Sequence, residues 1–289
     1  MSTSATSTSS GHLHSEWAPT ADHSTRNRPL AELVRHSTLL TVRSIRTFVR
    51  QPAFAAIAII QPAIWLLLFG QLFRSVIHLP GFAAHSGSYL EFITPGVVVM
   101  TALFSSGWAG TVYIQDMERG VMDRLLASPV RRGAMMIGSL AYQAVTTVVQ
   151  TLIVLLIAFA AGARFAGGAA GVGVTALAAI LLSSIIASFS NAIALLVRQH
   201  EALIGISQFI VLPLQFLSSA VMDVDLAPRW VQHVARYNPV DWAVVASRQA
   251  LSGDTQWGAV WPRVGWLVLV AVVLGALATR AFRSYQRSV

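Results

Sequence analysis

Residues 115–132 read QDMERGVMDRLLASPVRR, the longest charged stretch between two long apolar runs of this chain. Asp116, Glu118 and Asp123 are mixed with Arg119, Arg124, Arg131 and Arg132, and Ser128-Pro129 supplies a helix breaker. Read as one helix over 116–129, Met117, Val121 and Leu125 recur at i, i+4 and i+8, with Leu126 beside them. The pattern predicts a short amphipathic helix tethered between two membrane spans and shaped to dock on something in the cytoplasm. A solvated loop whose arginines only set topology is the plainer alternative.

The apolar runs on either side set the class. Hydrophobic residues make up 55% of the 289, charged residues only 11%, and the mean hydropathy is +0.62. That balance lies outside the ordinary range of soluble domains. A hydrocarbon layer about 30 Å thick needs runs of about 20 apolar residues, and several occur. The fold class is therefore an all-α, polytopic membrane protein. Six spans are expected, at about 52–73, 92–114, 133–161, 172–197, 203–222 and 260–279, with Pro62 and Pro213 as internal kinks.

The basic balance has a membrane explanation. A net charge of +8 would suit nucleic acid, but the basic residues flank spans instead of lining an aromatic-interleaved face, which excludes that partner. All 20 basic residues are arginine. The chain thus lacks the lysine of a phosphate-binding loop, so any ATP and magnesium are expected on another chain. Cysteine is absent, which removes disulfides and thiolate metal sites. His12, His14 and His23 in a Ser/Thr-rich tail (1–28) are read as incidental in a disordered segment, and no metal site is expected.

Between tail and first span, residues 30–50 read as an interfacial helix. Arg35, Arg43, Arg46 and Arg50 share one arc, opposite Leu33, Val34, Leu40, Ile45 and Phe48. With both termini inside, Arg119, Arg124, Arg131, Arg132, Arg198, Arg280, Arg283 and Arg287 join these on the cytoplasmic side. Arg74, Arg164, Arg229, Arg236, Arg248 and Arg263 fall outside, so the arginine bias places 116–132 in the cytoplasm. The loop over 223–256 holds Pro228, Trp230 and Tyr237 before an Asn238-Pro239 breaker, then Trp242 and Arg248. Two short amphipathic helices at the outer interface fit it.

Formal charge is scarce within the spans, which argues against proton or ion coupling. Polar rows recur at helical spacing: Gln143 and Gln150; Ser184, Ser188 and Asn191; Gln208 and Gln215. They line a substrate path or, the more frequent use, bond helix to helix. Trp65, Phe69 and Phe73 on the first span meet an apolar substrate, lipid or a second subunit.

Two stretches together resemble a family. Glu118-Arg-Gly120-Val-Met-Asp123-Arg-Leu125-Leu126-Ala-Ser128-Pro129, followed by Arg131-Arg132 and Gly138, is similar to the cytoplasmic signature of ABC-2 type permeases. These are the membrane subunits of ATP-binding cassette exporters, with a type V exporter-like fold; the daunorubicin-resistance-like drug-export branch is the nearest in pattern. Leu217-Ser-Ser-Ala220, Leu226-Ala-Pro228-Arg-Trp230 and Tyr237-Asn238-Pro239 through Arg248 to Gly253 resemble the family's outer segment. Val121 stands where many members carry Thr, and Asp123 where Glu is common.

The resemblance implies two permease subunits, identical or paralogous, with two ATPase subunits that bind ATP and magnesium. It makes 116–129 a coupling helix seated in the ATPase. Met117, Val121, Leu125 and Leu126 then fill its groove, and Glu118, Asp123 and Arg124 form rim pairs. Arg198, His200 and Glu201 add a minor second contact or a plain solvated turn. The implied location is the plasma membrane, and the implied cargo a hydrophobic drug or lipid, with polysaccharide or glycolipid as the alternative. A secondary transporter should show inverted repeats, of which Pro62 and Pro213 are a faint echo. A membrane enzyme should carry a nucleophile or metal motif, and no HExxH or GxSxG occurs.

The cysteine-free chain makes topology directly measurable. Single cysteines at positions 119 and 285 should be protected from an impermeant maleimide in intact cells, while one at position 254 should react. Labelling of position 119 from outside contradicts the six-span order.

Overall fold

Apolar runs bounded by glycine, proline and charged residues become helices, because in hydrocarbon a helix satisfies its own backbone. The computed structural model describes residues 38–39, 41–42, 52–73, 88–121, 132–221, 224–253 and 255–285. All regular structure among them is helical. In chain order the helices are α1 (Pro52–Leu72), α2 (Tyr89–Gly107), α3 (Thr111–Glu118), α4 (Arg132–Ala160) and α5 (Gly168–Val197). Then come α6 (His200–Phe216), a 3-10 turn (Val224–Leu226), α7 (Arg229–Ala235), α8 (Pro239–Leu251) and α9 (Trp257–Tyr285).

Four stretches are long and apolar enough to cross a membrane: Tyr89–Glu118, Met136–Ala160, Gly168–Val197 and Trp257–Arg280. This is a multi-pass membrane protein. In α1 the apolar stretch Ile60–Leu72 is shorter, and the 17 residues of α6 reach only about 25 Å.

The axis of the bundle is α5, which packs against α9, α8, α2 and α4. Its sequence explains why. Gly171, Ala178, Ala179, Ala187 and Ala194 are buried, and small side chains let neighbouring backbones approach. The closest approach is to α8. A Cβ added to Gly167 would lie 1.9 Å from the Ala250 carbonyl oxygen, and one on Gly171 2.3 Å from it. Gly167 N–H also donates to Leu251 O at 3.1 Å.

Several boundaries differ from expectation. The second span begins at Tyr89, where Ser88 and Glu91 form a capping box, and it breaks at Trp108–Gly110 before resuming as α3. The continuous helix expected over 116–129 is interrupted: α3 ends at Glu118 and Gly120 adopts φ 63°. That left-handed turn suits glycine and ends the i, i+4 phase linking Met117 to Val121. The fifth span stops at Phe216 instead of 222, three residues after Pro213.

Residues 223–256 do hold two helices split at Asn238-Pro239, but only α7 presents an exposed face. Instead of lying on the interface, α8 is buried through Val240, Ala243, Val244, Ser247 and Ala250 between α5, α9 and α2. Of the segment expected over 30–50, Thr38, Leu39, Thr41 and Val42 are described; they are helical, and Thr41 Oγ1 donates to Gly138 O at 3.3 Å. The remainder, the tail 1–28, and residues 122–131 of the charged stretch lie outside the described residues.

The α5–α8 contact makes a size prediction. Gly167→Ala should lower the unfolding temperature in detergent by several degrees, since overpacking of this kind costs about 1–3 kcal/mol. Gly173→Ala, with no atom within 4 Å of the new methyl, should leave it unchanged or raise it. Equal melting of the two variants contradicts the close approach.

Candidate functional site

The charged stretch enters from α3 and returns into α4, and both helices are tied to α5 beside it. At the break above α3, Thr111 N–H turns to Trp108 O at 3.0 Å, so Gly107 O loses its helical donor. Ala109 N–H takes Ser106 O at 3.1 Å, the acceptor that Gly110 N–H would use. Ser190 on α5 meets both orphans: its Oγ donates to Gly107 O at 2.7 Å and accepts from Gly110 N–H at 3.0 Å. Ser190 is fully buried. A Cβ on Gly110 would stand 2.5 Å from Ser190 O, so the approach requires glycine. Each buried backbone group left unpaired costs about 1–3 kcal/mol.

The next residue holds the returning helix. Asn191 Nδ2 donates to Ser139 Oγ at 3.1 Å and lies 3.7 Å from Met136 Sδ, both on α4. Tyr113 Oη reaches the same sulfur at 4.0 Å. Around them Ile114, Leu195, Leu203 and Ala278 form a buried cluster with Met117 packed against it. Met117, expected to project toward a partner, is thus half-buried inside the fold.

Of the expected second contact, His200 Nε2 lies 3.9 Å from Glu118 Oε2, which sets the α5–α6 turn beside the end of α3. Arg198 caps α5 with φ 54°, a left-handed conformation unusual for a non-glycine, and Glu201 occupies the first turn of α6. Val121 is the last described residue before the gap, so Asp123, Arg124, Leu125, Leu126, Ser128 and Pro129 lie outside it.

The polar rows divide. Gln143 Nε2 donates to Ser105 Oγ on α2 at 3.1 Å, so Gln143 and Asn191 bond helix to helix. Gln150 Oε1, Ser188 Oγ, Gln208 Oε1 and Gln215 Oε1 are buried with no hydrogen-bond partner among the described residues. On α1, Trp65 stacks on Phe69 at 5.0 Å and Phe69 on Phe73 at 5.5 Å. Trp65 is 42% exposed. With Ile60, Gln61, Ile64 and Leu68 it lines an open groove of about 390 Å³.

At the far end of the bundle the expected outer residues meet. Pro228 precedes α7, and Trp230 is exposed on it. Asn238 is buried and caps α8, accepting from Val240 N–H at 2.9 Å, with Pro239 in the first turn. Its Nδ2 donates to Leu214 O at 2.7 Å and Leu217 O at 2.8 Å, the free carbonyls where α6 ends. Arg248 Nη2 donates to Ser219 O at 2.9 Å, and its guanidinium sits 3.9 Å above the Phe92 ring. Asp241 Oδ1 accepts from Ser219 N–H at 2.8 Å and from its hydroxyl.

Sequence reasoning missed Ser190 and Asp241, and gave Ser219 no role beyond its place in Leu217-Ser-Ser-Ala220. Asp241 sits in the first turn after Asn238-Pro239, a pattern that flags a helix start. Ser190 carries no such signal. Among the described residues no group of three His, Cys, Asp or Glu side chains is placed to hold a metal ion. The arrangement holds together a bundle of helices.

Known proteins of similar sequence are transport permeases. The daunorubicin resistance ABC transporter permease protein DrrB1 of Streptomyces coeruleorubidus is 28% identical over 211 residues, 73% of each chain. The putative transport permease ycf38 of Cyanophora paradoxa is 30% identical over 197 residues, 68% of this chain and 67% of its own. The probable doxorubicin resistance ABC transporter permease protein DrrC of Mycobacterium tuberculosis is 25% identical over 278 residues, 94% of this chain and 96% of its own. The model of the ABC-2 type transporter family matches residues 36–252, which takes in the broken second span, the charged stretch and the buried helix α8, and the chain belongs to that family.

Proposed function

We propose that this chain is the membrane-spanning permease of an ATP-driven exporter. Two permease copies, identical or paralogous, form the path, and two separate ATPase subunits bind ATP and magnesium. All six apolar segments cross the plasma membrane, with both termini in the cytoplasm. The observation that carries the reading is the mounting of the charged stretch. It leaves α3 and returns into α4, and Ser190 and Asn191 fix both helices to the axis of the bundle. A docking segment needs such an anchor if closure of the ATPase pair is to tilt the spans.

The arginine-only composition supports placing nucleotide on the partner, since the phosphate-loop lysine is missing. Two relatives are named for resistance to daunorubicin and doxorubicin, and Trp65, stacked on Phe69, lines an apolar groove with Ile60, Ile64 and Leu68. Both support an apolar drug-like or lipid cargo. Buried acceptors on Gln150, Gln208 and Gln215 offer polar contacts along the path.

The docking segment begins after the turn at Gly120, so Val121, Leu125 and Leu126 are its anchors, without Met117. Buried anchors at an interface centre cost over about 2 kcal/mol when truncated, whereas exposed ion pairs are worth about 0–1 kcal/mol. Val121→Ala with Leu125→Ala should therefore abolish most co-purification of the ATPase and leave the permease in the membrane. Asp123→Asn should do little. Full retention of the ATPase by the double variant refutes docking at this segment.

A further inference from the structure

We infer that Ser190 and Asn191 make α3, the start of α4 and the adjoining end of α5 one rigid body, with the break at Trp108–Gly110 locked onto α5 by Ser190. The inference rests on the docking proposed above and adds where the motion goes. A push on the docking segment enters the bundle through α5, not along the second span.

The second span is the obvious lever, because it is continuous in sequence with the docking segment. Its backbone is broken, however, between Gly107 and Thr111. A broken helix bends at the break unless something bridges it. The bridge here comes from a different helix. Ser190 Oγ bonds to groups on both sides of the break, Gly107 O and Gly110 N–H. Gly110 also packs closely on Ser190, where an added Cβ would stand 2.5 Å from the Ser190 carbonyl oxygen. One residue on, Asn191 grips Ser139 at the start of α4, and Tyr113 and Asn191 converge on the sulfur of Met136. The three helix ends therefore share two adjacent residues of α5. At its opposite end α5 is pressed backbone to backbone on α8 through Gly167 and Gly171. Arg248 and Asp241 of α8 in turn hold Ser219 beyond the end of α6. A displacement of α5 is thus delivered to the helix that fills the far end of the bundle. Ser190 and Asn191 act as positioning residues.

Spin labels test this, since the native chain has no cysteine. Gln115→Cys on α3 and Leu196→Cys on α5, both at exposed positions, give a distance by electron–electron double resonance. The measurement uses the full permease with its ATPase in nanodiscs, nucleotide-free and vanadate-trapped. The wild-type background should give one narrow distance, the same in both states. Ser190→Ala should retain the ATPase yet broaden that distance, or shift it by about 5 Å on trapping. Ser190→Thr, which keeps the hydroxyl, should restore the narrow distribution. A wild-type distance that changes on trapping overturns the inference, and so does a narrow, invariant distance in Ser190→Ala. If Ser190→Ala does not fold, the wild-type pair decides alone. If the wild-type ATPase fails to co-purify, the docking reading fails, and wild type against Ser190→Ala without nucleotide still decides the joint.

Discussion

A backbone that breaks inside a hydrocarbon layer must find hydrogen bonds elsewhere, because no water reaches it. The break at Trp108–Gly110 is met by the single hydroxyl of Ser190, which both donates and accepts. The same constraint recurs at the end of α6, where Asn238 takes the carbonyls of Leu214 and Leu217. At each place a short polar side chain from a distant helix completes an interrupted one. These contacts fix which helices are neighbours, and the apolar packing fills in around them.

From that constraint the role of α5 follows. It carries Ser190 and Asn191 at the end facing the charged stretch and the small residues that seat α8 at the other. A central helix of this kind connects events at the two ends without needing charge inside the membrane. The buried polar atoms of Gln150, Ser188, Gln208 and Gln215 that lack a hydrogen-bond partner among the described residues are amide and hydroxyl oxygens. The aromatic run from Trp65 and Phe69 to Phe73 continues through Tyr89 and Phe92 to the Arg248 guanidinium, tying α1 to the same α8.

Much of this was legible in the sequence because hydrophobic run length is a strong signal. The all-helical class and the family came from apolar runs and two motif stretches. What was not legible depended on contacts between distant residues. The turn at Gly120 was hidden because apolar residues keep helical spacing through it, and glycine alone does not announce a stop. The burial of α8 was hidden because Trp230, Tyr237 and Trp242 signal an interface, and only α7 answers to that signal. Ser190 lies outside the helically spaced polar row Ser184, Ser188 and Asn191, so spacing does not single it out. Its importance lies in a broken backbone 80 residues away.

The proposed dependence of cargo movement on an ATPase partner can be measured directly. The direct measurement is export of a fluorescent apolar dye from proteoliposomes holding the chain alone or with its ATPase, under either ATP or an imposed proton or sodium gradient. Transport is expected only when the ATPase and hydrolysable ATP are both present, with no response to the gradients. Gradient-driven movement by the chain alone would contradict it.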